Sequence, residues 1–176
     1  MQLPASKVVF DQNEIDAAIG RIATELNARC VGAEWIVVCV LNGALIFTGE
    51  LVRRLTFPLR LESIRVSRYH ETTTGKDLKW HARTDIDLSG KRVLLVDDIF
   101  DEGKTLAAIA EDLKLQGASE VLSVVLLEKL HTRKVGDFRP DFVGLECSDA
   151  YVFGYGMDYE GQLRHLPEIR QLAGES

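Results

Sequence analysis

An α/β domain with a mainly parallel sheet flanked by helices is the fold class this sequence predicts, on three observations. Short β-branched runs alternate with stretches of helical period, and one of those runs ends in two adjacent acids before a glycine-bearing turn. The chain has 176 residues with 46% hydrophobic content, enough for one full core and too little for two ordinary domains. Residues 1–176 are therefore read as a single domain.

The elements follow in order. From Asn13 to Cys30, the residues Ile15, Ile19, Ile22 and Leu26 recur along one helical face, behind a polar cap at Asp11 or Asn13. The run WIVVCVL, residues 35–41, is a short β-branched strand that stops at Asn42-Gly43, after which ALIFTGELVRRL resumes helical period. Strand, turn and helix then repeat as KRVLLVDD, IFDEGKT and LAAIAEDLKLQ, closed by Gly117 and followed by the strand EVLSVVLLE. Buried strands alternating with helices form right-handed βαβ units in a parallel sheet. Shorter strands are expected at residues 142–146 and 151–155, and the polar, aperiodic stretch from Tyr69 to Leu88 reads as a long loop.

Composition excludes several function classes. A formal charge of -6 argues against a broad phosphate-tracking surface for nucleic acid, so any bound phosphate must be gripped locally. The cysteines Cys30, Cys39 and Cys147 are odd in number and form no C-x-x-C pair, which suggests neither a disulfide framework nor a zinc knuckle and fits a reducing compartment. No signal-peptide stretch opens the sequence, and the longest apolar run, Trp35 to Leu41, cannot span a bilayer. The expected location is the cytoplasm, with no membrane partner.

The chemistry concentrates in Val93 to Thr105, where a buried strand ends in Asp97-Asp98, a turn carries Gly103, and a helix begins at about Thr105. Open α/β sheets bind ligands at the carboxyl ends of their strands, and a helix N-terminus offers free N–H groups to phosphate. Paired carboxylates at a strand end accept hydrogen bonds from sugar hydroxyls or hold a hydrated Mg²⁺. Two other readings meet difficulties. A P-loop needs a glycine five residues before Gly103, where Asp98 stands. A receiver domain carries its acids at the first strand, whereas these lie past mid-chain. An ordinary solvated acidic turn is the bland alternative.

VLLVDDIFDEGKT resembles the phosphoribosyl diphosphate motif of type I phosphoribosyltransferases, and the chain from its first helix to Arg164 is similar to the hypoxanthine-guanine phosphoribosyltransferases. The resemblance implies a small hood formed by terminal segments, at about 147–176, and a mobile catalytic loop at about 68–82 that begins with Arg68-Tyr69. It implies Mg²⁺-dependent transfer of a phosphoribosyl group to hypoxanthine or guanine in purine salvage. In this carry-over Asp97 and Asp98 take the ribose hydroxyls and Mg²⁺, and Asp101 is the base near purine N7. Asp101, Glu102, Gly103, Lys104 and Thr105 cradle the 5′-phosphate, while Leu41-Asn42-Gly43 and Arg164 hold the diphosphate. Lys129 meets the 6-oxo group with Arg133 nearby, Tyr151 stacks on the base, Val152 offers it main-chain groups, and Asp158 holds a second Mg²⁺.

Three positions depart from the commoner pattern: Asn42 where lysine is frequent, Arg68 where serine is, and Glu102 where threonine is. Glu102 is expected to point outward with its charge offset by Lys104 or the helix dipole. The histidines His70, His81, His131 and His165 lack ligand spacing and read as surface residues, and Trp35 and Trp80 as packing residues. Relatives are commonly dimers or tetramers, which implies a homodimer or homotetramer. Alternatives within the resemblance are a xanthine- or adenine-using enzyme, or a regulator that senses phosphoribosyl diphosphate without catalysis.

Overall fold

The computed structural model describes residues 3–68 and 78–174, the side chains of Arg68 and Leu78 excepted. The elements are β1 (Ser6–Phe10), α1 (Gln12–Arg29), β2 (Trp35–Leu41), α2 (Leu45–Val52), β3 (Leu59–Arg68), β4 (Leu78–Ala82), β5 (Arg92–Phe100), α3 (Lys104–Leu115), β6 (Glu120–Leu130), β7 (Phe142–Ser148), β8 (Val152–Phe153) and β9 (Ile169–Leu172). Six strands form one sheet in the order β4-β3-β2-β5-β6-β7, parallel throughout except for β4. The other three make a small antiparallel sheet in the order β1-β9-β8.

Side chains along the central strands alternate between two cores, as the pleat requires. In β5, Leu94 and Val96 face the helices α1 and α2, where Ile15, Ile19, Ile22, Leu26, Phe47 and Leu51 are buried. Val93 and Leu95 face α3, meeting Leu106, Ile109 and Leu113. Burial on both faces explains why these strands are continuously apolar. Helix α1 opens with a capping box, Asp11 accepting from the Glu14 N–H at 2.9 Å and Glu14 accepting from the Asp11 N–H at 2.8 Å. Such a cap contributes about 1 kcal/mol.

Two corrections to the sequence reading arise here. Residues 78–82, taken as part of the long loop, are strand β4, paired antiparallel with β3. The strand expected at residues 151–155 shrinks to Val152–Phe153, because Gly154 and Tyr155 take positive φ values of 96° and 49° in the turn that follows. Tyr69 and the first part of the proposed mobile loop lie outside the described residues.

Candidate active site

Sheet order decides where the site lies. β2 and β5 are neighbours, but the chain leaves β2 toward β3 on one side and leaves β5 toward β6 on the other. The connections diverge at such a switch point and open a crevice beyond the carboxyl ends of the strands. A cavity of about 620 Å³ occupies it. Of the residues expected to bind the sugar donor, Leu41, Asn42, Gly43, Asp97, Asp98, Asp101, Glu102, Gly103, Thr105 and Arg164 all line it. A second cavity of about 190 Å³ shares Asp98, Ile99 and Asp101 with the first and adds Lys129, Tyr151, Val152 and Asp158. The residues expected for the two subsites thus line neighbouring cavities with a common wall. Lys104 belongs to neither wall, and Arg68 is described only as the last residue of β3.

The turn after β2 enters through a cis Leu41–Asn42 peptide. Gly43 then lies against Asp98, so closely that a Cβ there would run into the Asp98 carboxylate. Gly156 in turn packs on the Gly43 carbonyl, where its own Cβ would collide with the oxygen. Three distant segments meet here with no space for a methyl group.

Asp97 is 8% exposed and Asp98 is partly buried. The Asp98 N–H donates to Asp97 Oδ1 at 3.0 Å, and the Ile99 N–H to Asp98 Oδ1 at 2.9 Å. Burial pushes both carboxyls above the ordinary carboxylate range, and the charge of Asp98 adds to the effect on Asp97. Among the described residues no basic side chain pairs with either acid within 4.0 Å. Two adjacent acids that face a cavity and lack a cation are a donor set suited to a hard, oxygen-binding metal.

A stability consequence follows. A carboxyl with a raised folded-state pKa makes the folded protein hold more protons than the unfolded chain above about pH 4, so its contribution worsens as pH rises. Asp97→Asn keeps the acceptor for the Asp98 N–H and removes that contribution. In metal-free buffer its unfolding midpoint should exceed that of the wild type by about 2–4 °C at pH 8, corresponding to about 1 kcal/mol, with a smaller gap at pH 5. Scanning calorimetry at the two pH values decides, and a variant less stable at both would show that the carboxylate is already compensated.

Asp101 sits between the two cavities with its side chain 41% exposed. Lys129 Nζ is 3.4 Å from its Oδ2, His131 Nε2 is 2.7 Å from its Oδ1, and Arg133 Nη2 is 3.8 Å from the same oxygen. Arg133 also makes a two-pronged contact with Asp149, at 2.6 and 2.7 Å. The side chain of His131 is only 5% exposed, so it is not the surface residue the sequence suggested. The available signal was its place two residues after Lys129, since alternate residues at a strand end share a face. Ligand-capable atoms of Asp101, His131 and Asp149 lie within 4.8 Å of one another, but Lys129 and Arg133 already supply positive charge, so the cluster reads as an ion-pair network.

Glu102, expected to point outward, is part of the larger cavity's wall. Its carboxylate is met by Lys104 at 2.9 Å and Arg133 at 3.7 Å, which offsets its negative charge at the cavity wall. On the opposite wall Arg164 donates to the Gly156 carbonyl and to Asp158 Oδ1, each at 2.6 Å. The Tyr151 hydroxyl donates to the Asp158 carbonyl at 2.9 Å, which leaves the ring 38% exposed at the cavity edge. Trp35 is fully buried against Phe57, and Trp80 is covered by the Arg83 guanidinium at 3.8 Å, so both pack as expected.

The phosphoribosyl transferase domain family model matches residues 7–160. The chain belongs to that family. Among curated phosphoribosyltransferases it is 36% identical over 165 residues to the hypoxanthine-guanine enzyme of Aquifex aeolicus, covering 93% of this chain and 92% of that one. It is 34% identical over 166 residues to the hypoxanthine phosphoribosyltransferase of Salmonella typhimurium, covering 93% of each. The phosphoribosyltransferase fold is likewise shared with the hypoxanthine enzyme of Trypanosoma cruzi, solved as a ternary substrates complex. That match has a TM-score of 0.90 at 31% identity, covering 97% of this chain and 96% of that one. Among the described residues, no helix is long and apolar enough to cross a membrane.

Proposed function

We propose that this chain transfers the phosphoribosyl group of phosphoribosyl diphosphate to hypoxanthine or guanine, giving IMP or GMP and diphosphate in purine salvage. The observation that carries the reading is the pair of cavities sharing Asp98, Ile99 and Asp101, one walled by paired acids and a phosphate loop, the other by Lys129 and Tyr151. A ribose whose C1 lies at the shared wall puts its phosphates in the larger space and the incoming base in the smaller. The backbone amides of residues 101–105 and the start of α3 hold the 5′-phosphate, and the turn at Asn42-Gly43 with Arg164 holds the diphosphate.

Substitution at the anomeric carbon builds positive charge on the sugar and negative charge on the departing diphosphate. Asp97 and Asp98 accept from the ribose hydroxyls, and Arg164 neutralises part of the leaving group. Asp97, Asp98 and Asp158 are the residues that would hold Mg²⁺, which when bound supplies further neutralisation of diphosphate charge. Asp101 accepts the N7 proton and so makes N9 the better nucleophile. Lys129 donates to O6, and Tyr151 presents its exposed ring face to the purine.

The test is a steady-state panel of hypoxanthine, guanine, xanthine and adenine with phosphoribosyl diphosphate and Mg²⁺, on protein shown to be folded. IMP and GMP formation is expected, with adenine the poorest acceptor. Absence of nucleotide from every 6-oxopurine would remove the proposal, as would a preference for adenine.

A further inference from the structure

We infer that His131 is a positioning residue for Asp101: an uncharged imidazole, fixed in one tautomer, that turns a single carboxylate oxygen toward the purine. The inference rests on the reading of Asp101 as the base. The Arg133 backbone N–H can only donate, and it lies 3.0 Å from His131 Nδ1. Nδ1 therefore carries the lone pair, and the ring proton sits on Nε2. From there it points at Asp101 Oδ1, 2.7 Å away.

The uncharged state matters for the chemistry. A cation bonded to a carboxylate favours its ionised form and makes it a poorer proton acceptor; Lys129 and Arg133 already act on Asp101 in that way, and a neutral N–H from His131 orients the group without adding a third positive charge. Oδ1 accepts the short bond, from His131, whereas Oδ2 accepts only a long one, at 3.4 Å from Lys129 Nζ, and is the oxygen more open to a proton. Purine N7 and O6 are neighbours on one edge of the base. An acceptor and an ammonium donor side by side match that edge when N7 carries a proton. Leu130, between Lys129 and His131 in sequence, is 53% exposed, so the two flanking side chains share the face that meets Asp101.

His131→Met and His131→Gln isolate the hydrogen bond, because the two side chains are similar in length and only the Gln amide can donate where Nε2 does. Their kcat and both KM values, for hypoxanthine and for phosphoribosyl diphosphate, are compared with wild type, and unfolding midpoints are recorded. His131→Met should lower kcat about tenfold with each KM within about twofold, and His131→Gln should recover to within about threefold of wild type. In an Asp101→Asn background His131→Met should cost nothing further, since the group it positions is gone. His131→Leu replaces the Met variant if that one does not fold. Wild-type turnover in the donor-less variant, equal losses with Met and Gln, or an additive loss on Asp101→Asn would each overturn the positioning role. Near-normal turnover of Asp101→Asn alone would instead overturn the base assignment beneath it.

Discussion

Asp101→Asn lowers kcat with hypoxanthine by about 10² to 10⁴, with the KM for phosphoribosyl diphosphate nearly unchanged. The amide matches the carboxylate in shape, and its oxygen can still accept the hydrogen bond from His131 Nε2, so the loop should keep its conformation. What disappears is a group able to take the N7 proton. Asp101 stands on the wall common to both cavities, where the proposed reaction needs its base. Steady-state kinetics beside a direct measurement of donor binding separate the outcomes. Turnover within a few-fold of wild type would make Asp101 a structural loop residue, and a collapse of donor binding would assign it to the phosphate subsite.

Lys129→Ala reduces kcat/KM for hypoxanthine about 10- to 150-fold, the range for loss of a charged hydrogen bond, while adenine loses little. An ammonium has donors only, so it meets a purine O6 and opposes the exocyclic amine of adenine. The side chain is 12% exposed at the end of β6, on the wall of the smaller cavity. Its second partner sharpens the experiment, because Nζ also lies 3.4 Å from Asp101 Oδ2. An equal loss for the two bases would mean that Lys129 acts through Asp101 and does not read the oxo group.

The parts of this fold that could be read in advance are those whose burial is local. β2, β5 and β6 are buried on both faces and announce themselves as unbroken apolar runs. β3 reads LRLESIRVSR and lacks an apolar run, because charged residues alternate through it even though it lies inside the sheet between β2 and β4. β1 and β9 also escaped notice: each is four or five residues long and finds its partner at the other end of the chain, with Ser6 opposite Leu172. No local pattern encodes such a pairing.

The site divides in the same way. Asp97, Asp98 and the loop to Thr105 follow one another in sequence, so a motif captures them. His131 and Asp149 gain their meaning from packing against Asp101 and Arg133, and only the assembled sheet edge reveals it. The charge of Glu102 is likewise offset by Arg133, which comes from a separate segment and has no fixed spacing from it in sequence patterns.

For redesign of base choice, the junction of Gly43, Asp98 and Gly156 sets the boundary of what can be varied. A side chain at Gly43 would displace the Asp98 carboxylate and one at Gly156 the Gly43 carbonyl, so a library that samples either glycine would mostly return proteins with a distorted junction. Tyr151 and Lys129 line the smaller cavity without being part of that junction, and substitutions there are expected to reshape this cavity. Under the proposed function, selection for a new acceptor can then proceed at Tyr151 while the junction of Gly43, Asp98 and Gly156 is inherited unchanged.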